Sequence, residues 1–260
     1  MLNFVKRAKN LVPSSSPVPP SQNLVSNLLP EAEVKSFSKI NRELIANNYL
    51  AGTGIEIGAL HQPLPVSSAA QVKYVDRMSV ADLRTHYPEL NSLPLVEVDI
   101  IDNGEALTTI AESTQDFVIA NHFIEHCQNP IASLSSMLRV LKVGGVLYLA
   151  IPDKRYTFDR DRSVTPVEHI LRDYEEGPEW SRRQHFEEWI RIVNKIEDDV
   201  EAHVNHLMTI DYSIHYHVWT QTEFLELLLA VKKTLSVEFE IELFCKNVDE
   251  MIVIMRKGAA

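Results

Sequence analysis

The residue types best suited to chemistry begin in one short run, Gly54-Ile55-Glu56-Ile57-Gly58. Ile55 and Ile57 read as a short buried strand. Gly58 stands where that strand must stop, and a glycine there lets the main chain turn sharply and approach a ligand closely. About twenty residues on, Val72-Lys73-Tyr74-Val75-Asp76 reads as a second strand ending in an acid. A carboxylate at that point of a doubly wound sheet suits the two hydroxyls of a ribose. The chemistry expected is therefore recognition of a nucleoside-containing cofactor. Ala59, Leu60 and His61 follow Gly58, so there is no G-x-G-x-x-G, which counts against NAD or FAD. The plainer alternative makes Gly58 a turn glycine only.

The histidines supply a second kind of chemistry. His122 follows Asn121 at the end of an apolar run, where an imidazole can take a proton from an alcohol. His169 and His217, the latter in a His215-x-His217 pair, are further base candidates. His126 reads as a buried side chain bonded to backbone. His122, Glu125 and His126 share one face if helical and resemble a metal-ligand grouping. Groupings of this kind are more often structural, so no metal is favoured. His203, His206 and Asp211 form another such set, better explained as a solvated acidic helix. Arg155, Tyr156 and Arg160 follow the fifth apolar run and are expected to wall an acceptor pocket. Arginines there would hold a carboxylate or phosphate in bidentate fashion; the alternative is a salt-bridged lid.

Positioning these groups requires strands alternating with helices. Leu95–Asp102, Asp116–Asn121 and Val146–Ile151 read as strands three to five. Helices are expected over Glu31–Leu50, Ser79–Tyr87 and from Pro130, with a short helix or turn over Glu105–Glu112. Lys142 to Gly145 reads as a helix cap and turn. Thr220 with Glu223 opens a late helix. Ser236–Phe244 and Glu250–Arg256 read as a closing antiparallel hairpin. The expected fold is α/β: a doubly wound, mostly parallel, Rossmann-like sheet with an antiparallel edge hairpin. A mainly helical insertion over 153–217 interrupts it, too long for an ordinary connection. Residues 1–30, with five prolines among serines and asparagines, read as a flexible segment before a domain spanning 31–257.

A net charge of −11 over 260 residues leaves no overall basic face for duplex nucleic acid. Two cysteines make no disulfide framework, and a reducing cytoplasm is the default. No apolar run reaches the ~20 residues of a membrane span. Lys6, Arg7 and Lys9 precede no hydrophobic signal core, and Leu2–Leu11 makes at most a short amphipathic helix.

Taken together, Glu56-Ile57-Gly58, Asp76, the run Asp116 to His126 and the run Leu138 to Leu147 resemble class I S-adenosylmethionine-dependent methyltransferases. The likeness is to the small-molecule group that includes the ubiquinone-type enzymes, and it covers 50–153 and 218–257. The loop after Gly58 departs from that group, which usually carries two or three glycines. The resemblance implies that Glu56, Gly58 and Ala59 adjoin the methionine part of S-adenosylmethionine and that Asp76 holds the ribose. It implies that Asp99 or Asp102 sits near the adenine amino group, that Asn121 adjoins the methionine moiety, and that His122 faces the methyl. The activity implied is O-methylation of a small polar or glycan-like acceptor. N-methylation of a small amine, or an inactive cofactor- or protein-binding relative, are the rivals, with an NAD-linked oxidoreductase a distant third. A divalent metal is not favoured as a second cofactor. The expected partners are the acceptor and no nucleic acid or membrane, with a homodimer left open.

Overall fold

The computed structural model describes residues 40–259. The expected flexible segment 1–30, the short helix at 2–11 and the part of the 31–50 helix before residue 40 lie outside the described residues. Helix α1 (Arg42–Tyr49), capped by Asn41, leads into strand β1 (Gly52–Ile57). Then come β2 (Ala70–Asp76), α2 (Val80–His86), β3 (Ile100–Ile101) and β4 (Gln115–Asn121). Helix α3 (Pro130–Val140) runs directly into β5 (Leu141–Pro152). Helices α4 (Val167–Glu176), α5 (Glu179–Glu188) and α6 (Val200–Thr209) fill the insertion, with a π-helical turn over Trp189–Val193. Helix α7 (Gln221–Thr234) and strands β6 (Phe239–Asn247) and β7 (Glu250–Lys257) close the chain.

The seven strands form one sheet in the order β3-β2-β1-β4-β5-β7-β6. Five are parallel, and β7 pairs antiparallel with both β5 and β6. This is the doubly wound sheet with an edge hairpin that the alternation implied. Side chains of β4 alternate between the two faces, as strand geometry requires. Phe117 and Ile119 pack with Ile45, Ala46 and Leu50 from the α1 side. Val118 and Ala120 face Ile131, Leu134 and Leu138 of α3 and Phe224, Leu227 and Leu228 of α7. With both faces covered, β4 reads as a nearly continuous apolar run. The starts of the helices that flank the sheet have local causes: Ser79 and Asn129 accept N–H groups of the first turn, and Thr220 with Glu223 forms a reciprocal capping box.

Three elements differ from expectation. The third strand shrinks to Ile100–Ile101, because the Asp99 carboxylate accepts the Tyr74 N–H at 2.8 Å in place of a ladder carbonyl. Residues 105–112 form turns without a helix. Gly144 and Gly145 lie inside β5: Leu141 pairs with Gln115 and Val146 with Phe117, so the glycines sit in a bulge. Gly144 takes φ +80° there.

The insertion has a core of its own. Phe186, Trp189, Ile190, Val204, Leu207, Tyr212 and Ile214 bury one another and reach Leu83, Tyr87 and Leu90 of α2 and the turn after it. A second apolar cluster therefore stands beyond the carboxyl ends of β1 and β2.

Candidate active site

A cleft of about 800 Å³ lies where the strand ends meet the insertion. Its first side is built from the ends of β1, β2 and β4. Gly58 takes φ +64°, with only Phe123 within 4 Å of where a Cβ would stand, so the backbone there stays open to the cleft. The loop manages without further glycines by two devices. Leu60 adopts the left-handed conformation at φ +52°. The buried Glu56 carboxylate accepts the Leu64 N–H at 3.0 and 3.1 Å, which pins the loop back onto β1. Burial, only partly offset by that N–H and by Asn121, pushes the Glu56 carboxyl up to about 7. Burial likewise raises Asp76 above the usual carboxylate range, against N–H groups of Met78 and Arg77. Asn121 places its Nδ2 3.5 Å from Glu56 and leaves its buried Oδ1 without a partner. Glu56, Gly58, Ala59, Asp76, Asn121 and His122 all line this cleft.

The second side carries histidines and aromatic rings. His122, at φ +50°, holds Nε2 2.7 Å from Glu250, and its Nδ1 lies 3.8 Å from Glu125. His126 Nδ1 lies 2.9 Å from the Ile214 carbonyl and 3.0 Å from Ser213 Oγ. Burial, reinforced by His215, holds this ring well below the usual imidazole range and therefore neutral. A carbonyl only accepts, so the hydrogen sits on Nδ1 and Nε2 keeps the lone pair. His215 Nδ1 meets Asp159 at 2.6 Å. Burial alone would raise Asp159, but His215 and Arg162 hold it below the usual carboxylate range. Phe158, Trp189, Tyr212 and Tyr216 complete the wall.

Other sequence candidates lie elsewhere. The Asp99 carboxylate is taken up by the Tyr74 N–H within β2. Asp102 is buried and accepts from Thr108 and from Thr109 N–H and Oγ1 at 2.7–3.1 Å, so its oxygens are already taken. Neither residue lines the cleft. Arg155, Tyr156 and Arg160 also stay out of it. Arg155 turns back on Asp153 in a bidentate pair at 2.9 and 2.6 Å, because that buried carboxylate two residues earlier needs a cation. The Tyr156 hydroxyl accepts from Lys246 on β6, and Arg160 is solvent-exposed near Asp161. The same segment does enter the site through Phe158, and Asp159 supports it from behind by its contact with His215. His169 and His217 leave the cleft for a separate cluster with His185 and Asp173. His203 and His206 lie on α6, outside the lining, whereas Asp211 lines it and pairs with Arg77.

Among the lining residues that carried no functional reading in the sequence, Glu250 and Arg42 bear most directly on His122. Glu250 opens β7, and antiparallel pairing of Pro152 with Glu250 brings it to the ligand end of the sheet. Arg42 of α1 meets it from across the cleft, with Nε at 2.7 Å. Burial would raise Glu250, but Arg42 and His122 hold it down at about 2. A lone acid opening an otherwise apolar strand was the available signal.

Residues on the first side fit S-adenosylmethionine by their own chemistry. The orphaned Asn121 Oδ1 and the Glu56 carboxylate are acceptors for an ammonium, Asp76 for a ribose diol, and Gly58 leaves backbone open beside them. A family described as "Methyltransferase domain" matches residues 50–149, the segment that supplies this side. No curated protein shows a significant match to the sequence. Solved structures that resemble the chain include a carbon methyltransferase, CurJ, at 11% identity over 81% of this chain and 49% of that one, TM-score 0.43. This chain thus spans about half the length of that structure. Another is a putative S-adenosylmethionine-dependent methyltransferase of Methanococcus maripaludis, 15% identical over 84% and 82% of the two chains, TM-score 0.42. A third is a possible histamine N-methyltransferase of Thermotoga maritima, 15% identical over 84% and 88%, TM-score 0.44. Residues 50–149 of this chain thus match a methyltransferase domain, and the cofactor that goes with that family is S-adenosylmethionine.

Proposed function

We propose that the chain transfers a methyl group to a hydroxyl of a small polar or glycan-like acceptor, with His122 taking the proton. The carrying observation is that one cleft holds both the Glu56–Gly58–Asp76 side and three histidine rings, His122, His126 and His215. When bound, the cofactor supplies a methyl group on an electrophilic sulfonium. Asp76 would hold the ribose hydroxyls, and Glu56 with Asn121 the amino-acid end. The chain's task is then alignment of nucleophile and methyl. Glu250, held ionised by Arg42, keeps a hydrogen on His122 Nε2 and leaves Nδ1 as the atom that takes the proton. The rings of Phe158, Trp189, Tyr212 and Tyr216 suit packing against the apolar face of a sugar and exclude water. The segment 153–217 acts as the acceptor-side cover. No described helix is long and apolar enough to cross a membrane, and the free thiols of Cys127 and Cys245 suit a cytoplasmic setting.

Calorimetric titration with S-adenosylmethionine and S-adenosylhomocysteine, followed by a methyl-transfer screen of hydroxyl and amine acceptors, tests this reading. Asp76→Ala is expected to weaken cofactor binding tenfold or more, at ~1.4 kcal/mol per decade; unchanged affinity would put the ribose elsewhere. His122→Ala is expected to abolish turnover on a hydroxyl acceptor and spare cofactor binding. Retained turnover there, with loss in His215→Ala, moves the base to the His215–Asp159 pair. Turnover on amines alone makes the enzyme an N-methyltransferase. Cofactor binding with no turnover on any acceptor favours a binding protein. Solution mass measurement decides whether a homodimer forms.

A further inference from the structure

Outside the cleft, three imidazoles and one carboxylate converge on a single point. His169 and Asp173 lie one turn apart on α4, so they share a face. His185 comes from α5, and His217 from the extended run that leads into α7. His169 Nε2 is 3.0 Å from His185 Nε2 and 3.3 Å from Asp173 Oδ2. His217 Nε2 is 3.7 Å from the same Oδ2, and one ligand atom from each of the four residues falls within 4.8 Å of the others. The three rings stand at 71–75° to one another, with centroids 5.0–5.7 Å apart. Four ligands at about 2.0–2.1 Å around a tetrahedral ion would themselves be about 3.3 Å apart. The observed spacings bracket that value.

Hydrogen bonding accounts for this arrangement poorly. Two Nε2 atoms at 3.0 Å can share one hydrogen, and His217 Nε2 also lies 3.4 Å from the Gln128 carbonyl. The carboxylate is the telling group. Asp173 is fully buried; its Oδ1 accepts from Ser181 Oγ at 3.0 Å, while Oδ2 points into the cluster with no hydrogen bond. A buried carboxyl oxygen set beside the His169 and His217 nitrogens with no hydrogen bond of its own is placed to meet a cation.

We propose that His169, Asp173, His185 and His217 form a structural site for a divalent transition metal, zinc being the best match. Three imidazoles and one carboxylate in a closed tetrahedron are a zinc ligand set, and a buried set with no position for substrate is structural, not catalytic. Such an ion ties α4 and α5 to the run carrying His215, two residues before His217, and so braces the acceptor side of the cleft. The site stands on geometry independent of the methyl-transfer reading.

Cobalt substitution of the full chain tests it. The protein is stripped with a chelator, its fold checked by circular dichroism, and Co2+ titrated in. The expected result is about one tightly held Co2+ per chain, with the intense visible bands of tetrahedral coordination, displaced by Zn2+. His169→Gln, at the least buried ligand, and Asp173→Asn are expected to weaken uptake at least tenfold, whereas Glu125→Gln, in the cleft cluster with His126 and His215, keeps it. The wild-type spectrum decides even where a variant misfolds. A folded apo chain that takes up no stoichiometric Co2+, weak six-coordinate bands, or uptake lost only in Glu125→Gln would each overturn the site.

Discussion

Glu56 concentrates the physics of the cofactor side in one carboxyl group. It does two jobs: it pins the loop through Leu64 N–H and offers negative charge beside Asn121. Burial raises its folded-state value from 4.5 to about 7. For an acid shifted upward, the native state holds the proton more tightly than the unfolded chain. The associated stability is therefore complete below pH 4.5 and is lost as pH rises through 7. A shift of this size amounts to on the order of 3 kcal/mol. Glu56→Gln cannot titrate, and its amide oxygen can still accept from Leu64. The stability of wild type minus variant, from thermal melts across pH 4–8, is expected to fall over that window. A flat difference would mean that Glu56 ionises like an exposed acid.

At the scale of elements, the contact between β1 and β4 sets the sheet. Gly54 pairs with Phe117, and a Cβ there would lie 2.3 Å from the Phe117 carbonyl oxygen and 2.4 Å from its ring. Backbone on one side leaves no room to yield. Gly54→Ala is expected to cost ~3 kcal/mol or more. That lowers Tm by about 6–12 °C in a chain of this size, measured by calorimetry. A Tm within two or three degrees of wild type, about 1 kcal/mol, would mean that the two strands can part freely. Bulged glycines in β5 serve a different purpose: they let α3 pass straight into a strand without a loop, and β5 still reaches its register with β4 and β7.

The whole molecule is divided between the apolar clusters on the two faces of the sheet and a third in the insertion. In the proposed reading the sheet and its helices hold the cofactor, and the insertion with α2 faces the acceptor. Arg162 locks the insertion. Its fully buried guanidinium donates to Asp159, Glu188 and the carbonyls of His215 and Tyr216 at 2.8–3.2 Å. Removing that cation leaves Asp159 buried and short of a partner. Arg162→Ala is expected to cost about 3–5 kcal/mol by thermal unfolding. Cofactor affinity in the folded variant is expected to stay within about threefold, while acceptor turnover drops. Loss of cofactor binding in step with stability would show that the two halves are one energetic unit.

The sequence by itself determined the alternation of strands and helices, the turn at Gly58, the acid ending β2 and the position of His122. Each depends on near neighbours: apolar period, a strand terminus, a glycine or a cap. Parallel topology then gathers strand ends at one place without further information. Partner choice was settled only in three dimensions. Arg42 and Glu250 meet across 208 residues, and no local pattern encodes that pairing. Arg155 follows the nearer charge, Asp153, while Phe158 turns into the cleft and Asp159 meets Arg162, because a buried carboxylate takes whichever cation the fold puts within reach. His169 and His217 were legible as chemically capable residues. Which lone pairs they face was decided by the packing of α4 against α5 and of both against the run before α7.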